Sequence, residues 1–123
     1  MVDKTSNKIL CVAQAAGRKH DYRLFKESKT AIHPSIMAQV DTGYQGLQKK
    51  HVNTQIPKKR SKKNPLTKQD KIQNQYISSS RVLVENVIRC IKIFRIIAEK
   101  YRNRRKRYAL RINLISGIYN YQL

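Results

Sequence analysis

The chain has 123 residues, with 27 Lys and Arg against 7 Asp and Glu, giving a formal charge of +20. That length holds one ordinary domain at most and excludes a multidomain machine. A hydrophobic content of 40% allows a modest core and argues against wholesale disorder.

Self-repulsion at this charge favours a polyanionic partner, and nucleic acid is the natural one. Each Lys or Arg that meets a phosphate releases condensed counterions. An acidic membrane surface is the rival, but no apolar run approaches the roughly 20 residues that span a bilayer. Lys4 and Lys8 precede Ile9–Ala13, yet Gln14, Gly17, Arg18 and Lys19 interrupt that stretch at once, against a signal peptide. Cys11 and Cys90 lack metal-ligand spacing and fit a reducing compartment, a bacterial or nuclear interior.

In chain order, residues 1–16 read as a strand end, a polar turn and a strand, as though a hairpin were entered part-way. His20–Ser28 reads as a short helix with Asp21 near its start and Leu24 and Phe25 on its apolar face. After Pro34, Ile36–Val40 reads as a short apolar strand, stopped by Asp41-Thr42-Gly43-Tyr44-Gln45-Gly46. An acid that ends a strand before a glycine turn sits where α/β proteins place chemistry. The plainer reading is a turn aspartate bonding its own backbone.

Residues 47–75 hold Lys49, Lys50, Lys58, Lys59, Arg60, Lys62, Lys63, Lys68 and Lys71, with Asp70 as their acid. Pro57 and Pro65 break any long helix, so this is expected to be an exposed basic loop or insertion that tracks phosphates. From Ser78 the period turns helical, and Leu83, Val87, Ile91, Phe94 and Ala98 are expected to form one buried stripe. Arg81, Glu85 and Lys92 share another face, where Glu85 could equally be a surface ion-pair partner of Arg81 or Arg89. The cationic run Tyr101–Tyr108 precedes a last helix with Leu110, Leu114, Ile115 and Ile118 on its apolar side.

The chemistry these residues can carry is narrow. There is no Gly-x-Ser-x-Gly nucleophile motif, no Gly-rich phosphate loop, and no zinc spacing among His20, His33 and His51. Asp41 and Glu85 stand out among the acids. Carboxylates near one another on a cationic surface suit a divalent-metal phosphoryl-transfer site, in which the metal takes oxygen ligands and the cations hold the nucleic-acid backbone.

Three motifs in order then make the sequence recognisable. Gly17–Ser28, Asp41–Gly46 and Arg81–Ile88, with Tyr101–Arg107 and Leu114–Asn120 after them, closely resemble DDE-type transposases of bacterial insertion sequences. The resemblance covers nearly the whole chain and matches the C-terminal part of such enzymes. It implies one α/β domain over residues 1–123: a partial RNase H-like fold, a mixed sheet flanked by helices, lacking its first strand and carrying a basic insertion around 47–75. It implies a divalent-metal site, with Mg as the expected ion. Asp41 would be the second acid, and Glu85 the third, on the helix packed beside it, so the two carboxylates are expected to approach across a cleft.

The family spacing Arg, three residues, Glu, six residues, Lys is met by Arg81, Glu85 and Lys92, although position 78 is Ser where a Tyr can stand. The family's first acid, in an Asp-Gly-Thr-like motif, has no counterpart in residues 1–16. The resemblance therefore implies a catalytically incomplete fragment. Its partner is DNA, bound through Lys58, Lys59, Arg60, Lys62, Lys63, Arg81, Lys92, Arg102, Arg104, Arg105 and Arg107. It would act in the bacterial cytoplasm at the nucleoid, not at a membrane, through self-association or pairing with an upstream transposase fragment. Two alternatives stay open: a non-enzymatic basic nucleic-acid-binding protein, and a small ribosome-associated protein.

Overall fold

A computed structural model describes residues 1–15, 19–99 and 107–123. In chain order the elements are α1 (Asp21–Glu27), β1 (Ala38–Gln39), 3₁₀ turns at Thr42–Tyr44 and Leu47–Lys49, β2 (Thr54–Gln55), α2 (Lys68–Ile91), α3 (Arg95–Ala98) and α4 (Tyr108–Tyr121). The architecture is mixed α and β, with a two-stranded parallel sheet. It divides into two compact units, Ala15–Ser80 and the pair of segments Met1–Gln14 and Arg81–Leu123.

The unit Ala15–Ser80 is built around short elements. His20 caps α1, its Nδ1 accepting from the Tyr22 N–H at 3.3 Å. β1 and β2 pair in register Ala38 with Thr54 and Gln39 with Gln55. The Ala38 N–H donates to the Asn53 carbonyl at 2.9 Å, and the Val40 N–H to the Gln55 carbonyl at 3.0 Å. Two paired residues make a weak sheet, so side chains reinforce it. His51, buried, donates from Nε2 to the Ile36 carbonyl at 2.6 Å, and the Thr54 hydroxyl donates to the His51 carbonyl at 2.6 Å. Leu47 and Ile77, each 1% exposed, are the apolar centre of this unit.

Residues 47–75 are less loop-like than their composition suggests. They contain the second 3₁₀ turn, β2 and the first turns of α2, which starts at Lys68, ten residues before the expected onset at Ser78. The reason is a reciprocal cap. The Asp70 N–H donates to the Thr67 hydroxyl at 3.1 Å, while the Thr67 N–H donates to the Asp70 carboxylate at 3.0 Å. Thr-Lys-Gln-Asp thus works as a capping box with Asp in place of Glu, directly after Pro65 stops the preceding loop. The loop itself is tied to α2: the Asn74 amide accepts from the Lys58 N–H at 2.8 Å and donates to the Lys58 carbonyl at 2.9 Å.

In the second unit, residues 1–11 form the expected hairpin-like pair, with an isolated antiparallel bridge between Val2 and Ile9. Asp3 holds its turn by accepting from the Ser6 N–H at 2.9 Å and from the Ser6 hydroxyl, bonds that keep its carboxyl below the ordinary 3.8. Asn120 of α4 clamps the second strand. Its amide accepts from the Ile9 N–H and donates to the Ile9 carbonyl, both at 2.8 Å. Ile9, Val87, Ile112 and Ile115 are the buried apolar residues of this unit.

The expected apolar stripes are realised in part. Val87 is buried and Leu83 and Ile91 half-buried, but Phe94 and Ala98 are exposed, because α2 ends at Ile91 and the helical phase does not continue. On α4, Ile115 is buried with Ile112 and Ser116, whereas Leu110, Leu114 and Ile118 are exposed. That helix is apolar on more than one face, so periodicity alone does not say which face is buried.

Candidate functional site

The first two sequence motifs meet in the unit Ala15–Ser80, where α1 packs on the turn Asp41–Gly46. The turn follows from its residues. Asp41 is extended (φ −77°, ψ 166°) at the end of β1, and its carboxylate accepts from the Thr42 N–H at 2.6 Å and from the Thr42 hydroxyl at 3.3 Å. The Tyr44 N–H closes the turn onto the Asp41 carbonyl at 3.0 Å. The geometry is thus that of an aspartate bonded to the adjacent backbone, which is also how a strand-end carboxylate is held in one direction.

Three contacts dock α1 on this turn. The Asp21 carboxylate lies so close to Gly43 that a Cβ there would sit 3.1 Å from Asp21 Oδ2. The Tyr22 hydroxyl donates to the Gly46 carbonyl at 3.0 Å. Phe25 meets Tyr44 edge to face, with ring centroids 6.4 Å apart at 79°. Tyr44 is half-buried, and burial first, then the charges of Asp21 and Asp41, raise its hydroxyl above the ordinary 10.0. Asp21, Asp41 and the Tyr44 phenol therefore form one electrostatic neighbourhood. In the sequence Asp21 marks the start of a helix and lies in the Gly17–Ser28 motif; the adjacency of the two motifs depends on tertiary packing and has no signature in spacing.

The third motif lies in the other unit. Arg81 and Glu85 are on α2, Glu85 exposed, and Lys92 follows the helix end, its N–H still donating to the Ile88 carbonyl at 3.0 Å. Among the described residues, no three His, Cys, Asp or Glu side chains come together as a metal-holding group.

The basic residues singled out in the sequence fall into three groups. Lys58 binds the Asp70 carboxylate, Nζ to Oδ2 at 3.0 Å, and Asp70 is held below the ordinary 3.8 by the Thr67 backbone first and Lys58 next. Lys59, Arg60, Lys62 and Lys63 stand exposed along the loop, as do Arg81, Lys92 and Arg107 in the other unit. Arg102, Arg104 and Arg105 lie outside the described residues. Among the described residues, no helix is long and apolar enough to cross a membrane.

One feature of the first unit has no signal in the sequence. A cavity of about 410 Å³ opens beside α1, lined by Phe25, Lys26, Lys29, Leu47, Lys50 and His51 among others.

Comparison with known proteins gives this geometry a family. The probable transposase for insertion sequence element IS702 of Microchaete diplosiphon is 41% identical over 123 residues, all of this chain and 45% of that relative. The chain thus spans less than half the length of the relative, matching its C-terminal part. No solved structure matches. The model of the DDE superfamily endonuclease family matches residues 1–120, and with nearly every residue covered, including all three linked motifs, the chain belongs to that family.

Proposed function

We propose that this chain is a segment of an insertion-sequence DNA transposase, of RNase H-like ancestry, whose own activity is to grip DNA at the bacterial nucleoid. The observation that carries the reading is the docking of α1 on the Asp41 turn. Two motifs that match the family in sequence contact one another residue by residue, Asp21 at Gly43, Tyr22 at Gly46 and Phe25 at Tyr44. DNA would be held by Lys59, Arg60, Lys62 and Lys63 on a loop that Lys58 and Asn74 fasten to α2, and by Arg81, Lys92, Arg102, Arg104, Arg105 and Arg107.

Asp41 and Glu85 are the residues that would hold a divalent cation when the remainder of the site is supplied. Their oxygen donors have the right chemistry for Mg²⁺, which takes carboxylate and water oxygens in an octahedral shell. In number they fall short, because among the described residues no three His, Cys, Asp or Glu side chains come together as a metal-holding group. Strand cleavage and transfer are therefore assigned to the longer protein or to a pairing of fragments, and no step is assigned to this chain alone.

The second reading, a non-enzymatic nucleic-acid-binding protein, is favoured by that same incomplete ligand set. Two measurements separate the possibilities. Duplex affinity of the full chain, read by fluorescence anisotropy over a salt series, should fall steeply with salt, and a flat response would refute DNA binding. A nicking assay with Mg²⁺ or Mn²⁺ should show no cleavage by the chain alone. Cleavage lost in both Asp41→Asn and Glu85→Gln would establish a competent site and overturn the proposed division of labour.

A further inference from the structure

We infer that the cavity beside α1 is a nucleotide-sized phosphate pocket, in which Lys26, Lys29 and Lys50 hold one phosphate and the Phe25–Leu47 floor supports the attached sugar and base. The inference deepens the DNA-binding reading and rests on it for the source of the nucleotide.

The volume, about 410 Å³, lies in the range of pockets that take small ligands, and its lining has the corresponding composition: an apolar floor with a few convergent polar groups. Those groups are of one sign. Three lysines, Lys26, Lys29 and Lys50, are among the lining residues, and none has a carboxylate within ion-pair distance among the described residues. The acids of this unit are engaged elsewhere. Glu27 is taken by Lys19 and Arg23, Asp70 by Lys58, and Asp21 and Asp41 lie at the Tyr44 turn. His51 contributes a wall rather than a ligand, since it is 7% exposed and its Nε2 donates to the Ile36 carbonyl. Three amines around one concavity create a positive potential that selects an anion with several acceptor oxygens, which a phosphate is.

Two details concern how the lysines are placed. Lys26 Nζ lies 4.8 Å from the centroid of the Tyr22 ring, so this cation is steadied on an aromatic face that the turn itself fixes through Gly46. Lys29 occupies left-handed backbone, φ 52°, just beyond the C-terminal end of α1, a position where glycine is the usual residue. Lysine at this position goes against the local backbone preference, and it adds a cationic side chain to the lining of the cavity.

That conflict supplies the test. In the full chain, Lys29→Gly relieves the backbone and removes one cation, so its melting temperature should stay level or rise while DNA binding weakens. The slope of log affinity against log salt should shrink in Lys29→Gly and in Lys50→Ala, by no more than the roughly 0.7 to 0.9 that the one phosphate shared by the three lysines contributes. Deoxyadenosine monophosphate, used as the free probe, should shift the Leu47 methyl resonances of the wild type and not those of a Lys26→Ala, Lys50→Ala double variant.

Wild-type salt slope in both single variants, with no Leu47 shift from the nucleotide, overturns the pocket and leaves DNA binding standing. Absence of duplex and single-strand binding with the Leu47 shift intact does the reverse: the pocket stands for free nucleotides and the DNA reading fails. Loss of slope together with a falling melting temperature in Lys29→Gly would also count against the pocket, because the lysine would then be serving the fold.

Discussion

Substituting Gly46 by Ala tests whether the docking of α1 on the Asp41 turn has the geometry described. Gln45 (φ −58°, ψ 131°) and Gly46 (φ 98°, ψ −11°) are the central residues of a type II turn, whose third position demands positive φ. An alanine forced into that region costs about 1–2 kcal/mol from backbone sterics alone. Its Cβ would also lie 3.1 Å from Tyr22 Cε1 and 3.5 Å from Cζ, so the ring must withdraw. Withdrawal strains the 3.0 Å bond from the Tyr22 hydroxyl to the Gly46 carbonyl, a bond worth about 1 kcal/mol.

The sum is a loss of about 2–3 kcal/mol, a large share of the stability of a chain this size. Urea unfolding followed by far-ultraviolet circular dichroism measures it, and a double-mutant cycle with Tyr22→Ala isolates the ring's share. Gly43→Ala is the internal comparison: its Cβ would meet the Asp21 carboxylate at 3.1 Å without a positive φ, and a side-chain end can move. Gly46→Ala within about 0.5 kcal/mol of the wild type, or milder than Gly43→Ala, would refute the turn geometry and the docking with it.

Three further outcomes are expected. Asn120→Ala removes two bonds to the Ile9 backbone and leaves an N–H and a carbonyl without their partner, so it should cost about 1–3 kcal/mol in urea melts; Asn120→Asp, which keeps the acceptor alone, should fall between. Asp70 has its folded pKa depressed by the Thr67 cap and Lys58, so its contribution is present above 3.8 and is lost as pH falls below that value towards the lower folded pKa. Backbone amide exchange in the first turn of α2 should then rise in acid, and Asp70→Asn should remove that dependence. Tyr44 has its pKa raised above 10.0, which means the unfolded chain ionises first; stability should fall as pH climbs past 10.0, and Tyr44→Phe should flatten that fall.

What the sequence makes legible is local. A helix over His20–Ser28 and a hairpin near the N-terminus follow from residues adjacent in the chain and are present, as Asp21–Glu27 and the Val2–Ile9 bridge, while the strand expected over Ile36–Val40 is confined to Ala38–Gln39. The onset of α2 is legible too, in the Thr67–Asp70 cap, but the lysines around it mask capping chemistry behind a strong charge signal. The buried face of α4 is not, because leucine and isoleucine occur on several sides of that helix and only the partner surface decides between them. The lysine cavity is equally out of reach. Its lining comes from α1, the segment after it and the second 3₁₀ turn, and residues 26, 29 and 50 share no period.

The distribution of the acids explains why so basic a chain folds at all and what that leaves exposed. Asp3 holds a hairpin turn through Ser6, Asp41 caps a 3₁₀ turn through Thr42, and Asp70 caps α2 through Thr67. Three of the seven carboxylates are therefore committed to backbone N–H groups, where a charge-assisted bond replaces water at a place the chain must bend. Glu27 pairs with Lys19 and Arg23, and Asp70 also pairs with Lys58. Seven carboxylates against 27 Lys and Arg leave the chain at +20 however they are placed. The remaining cations repel one another across a small molecule, which disfavours the compact state until a polyanion supplies the missing charge. In the proposed DNA complex the lysines that weaken the isolated chain should draw stability from a phosphate backbone, and the gain should fade as salt screens both effects.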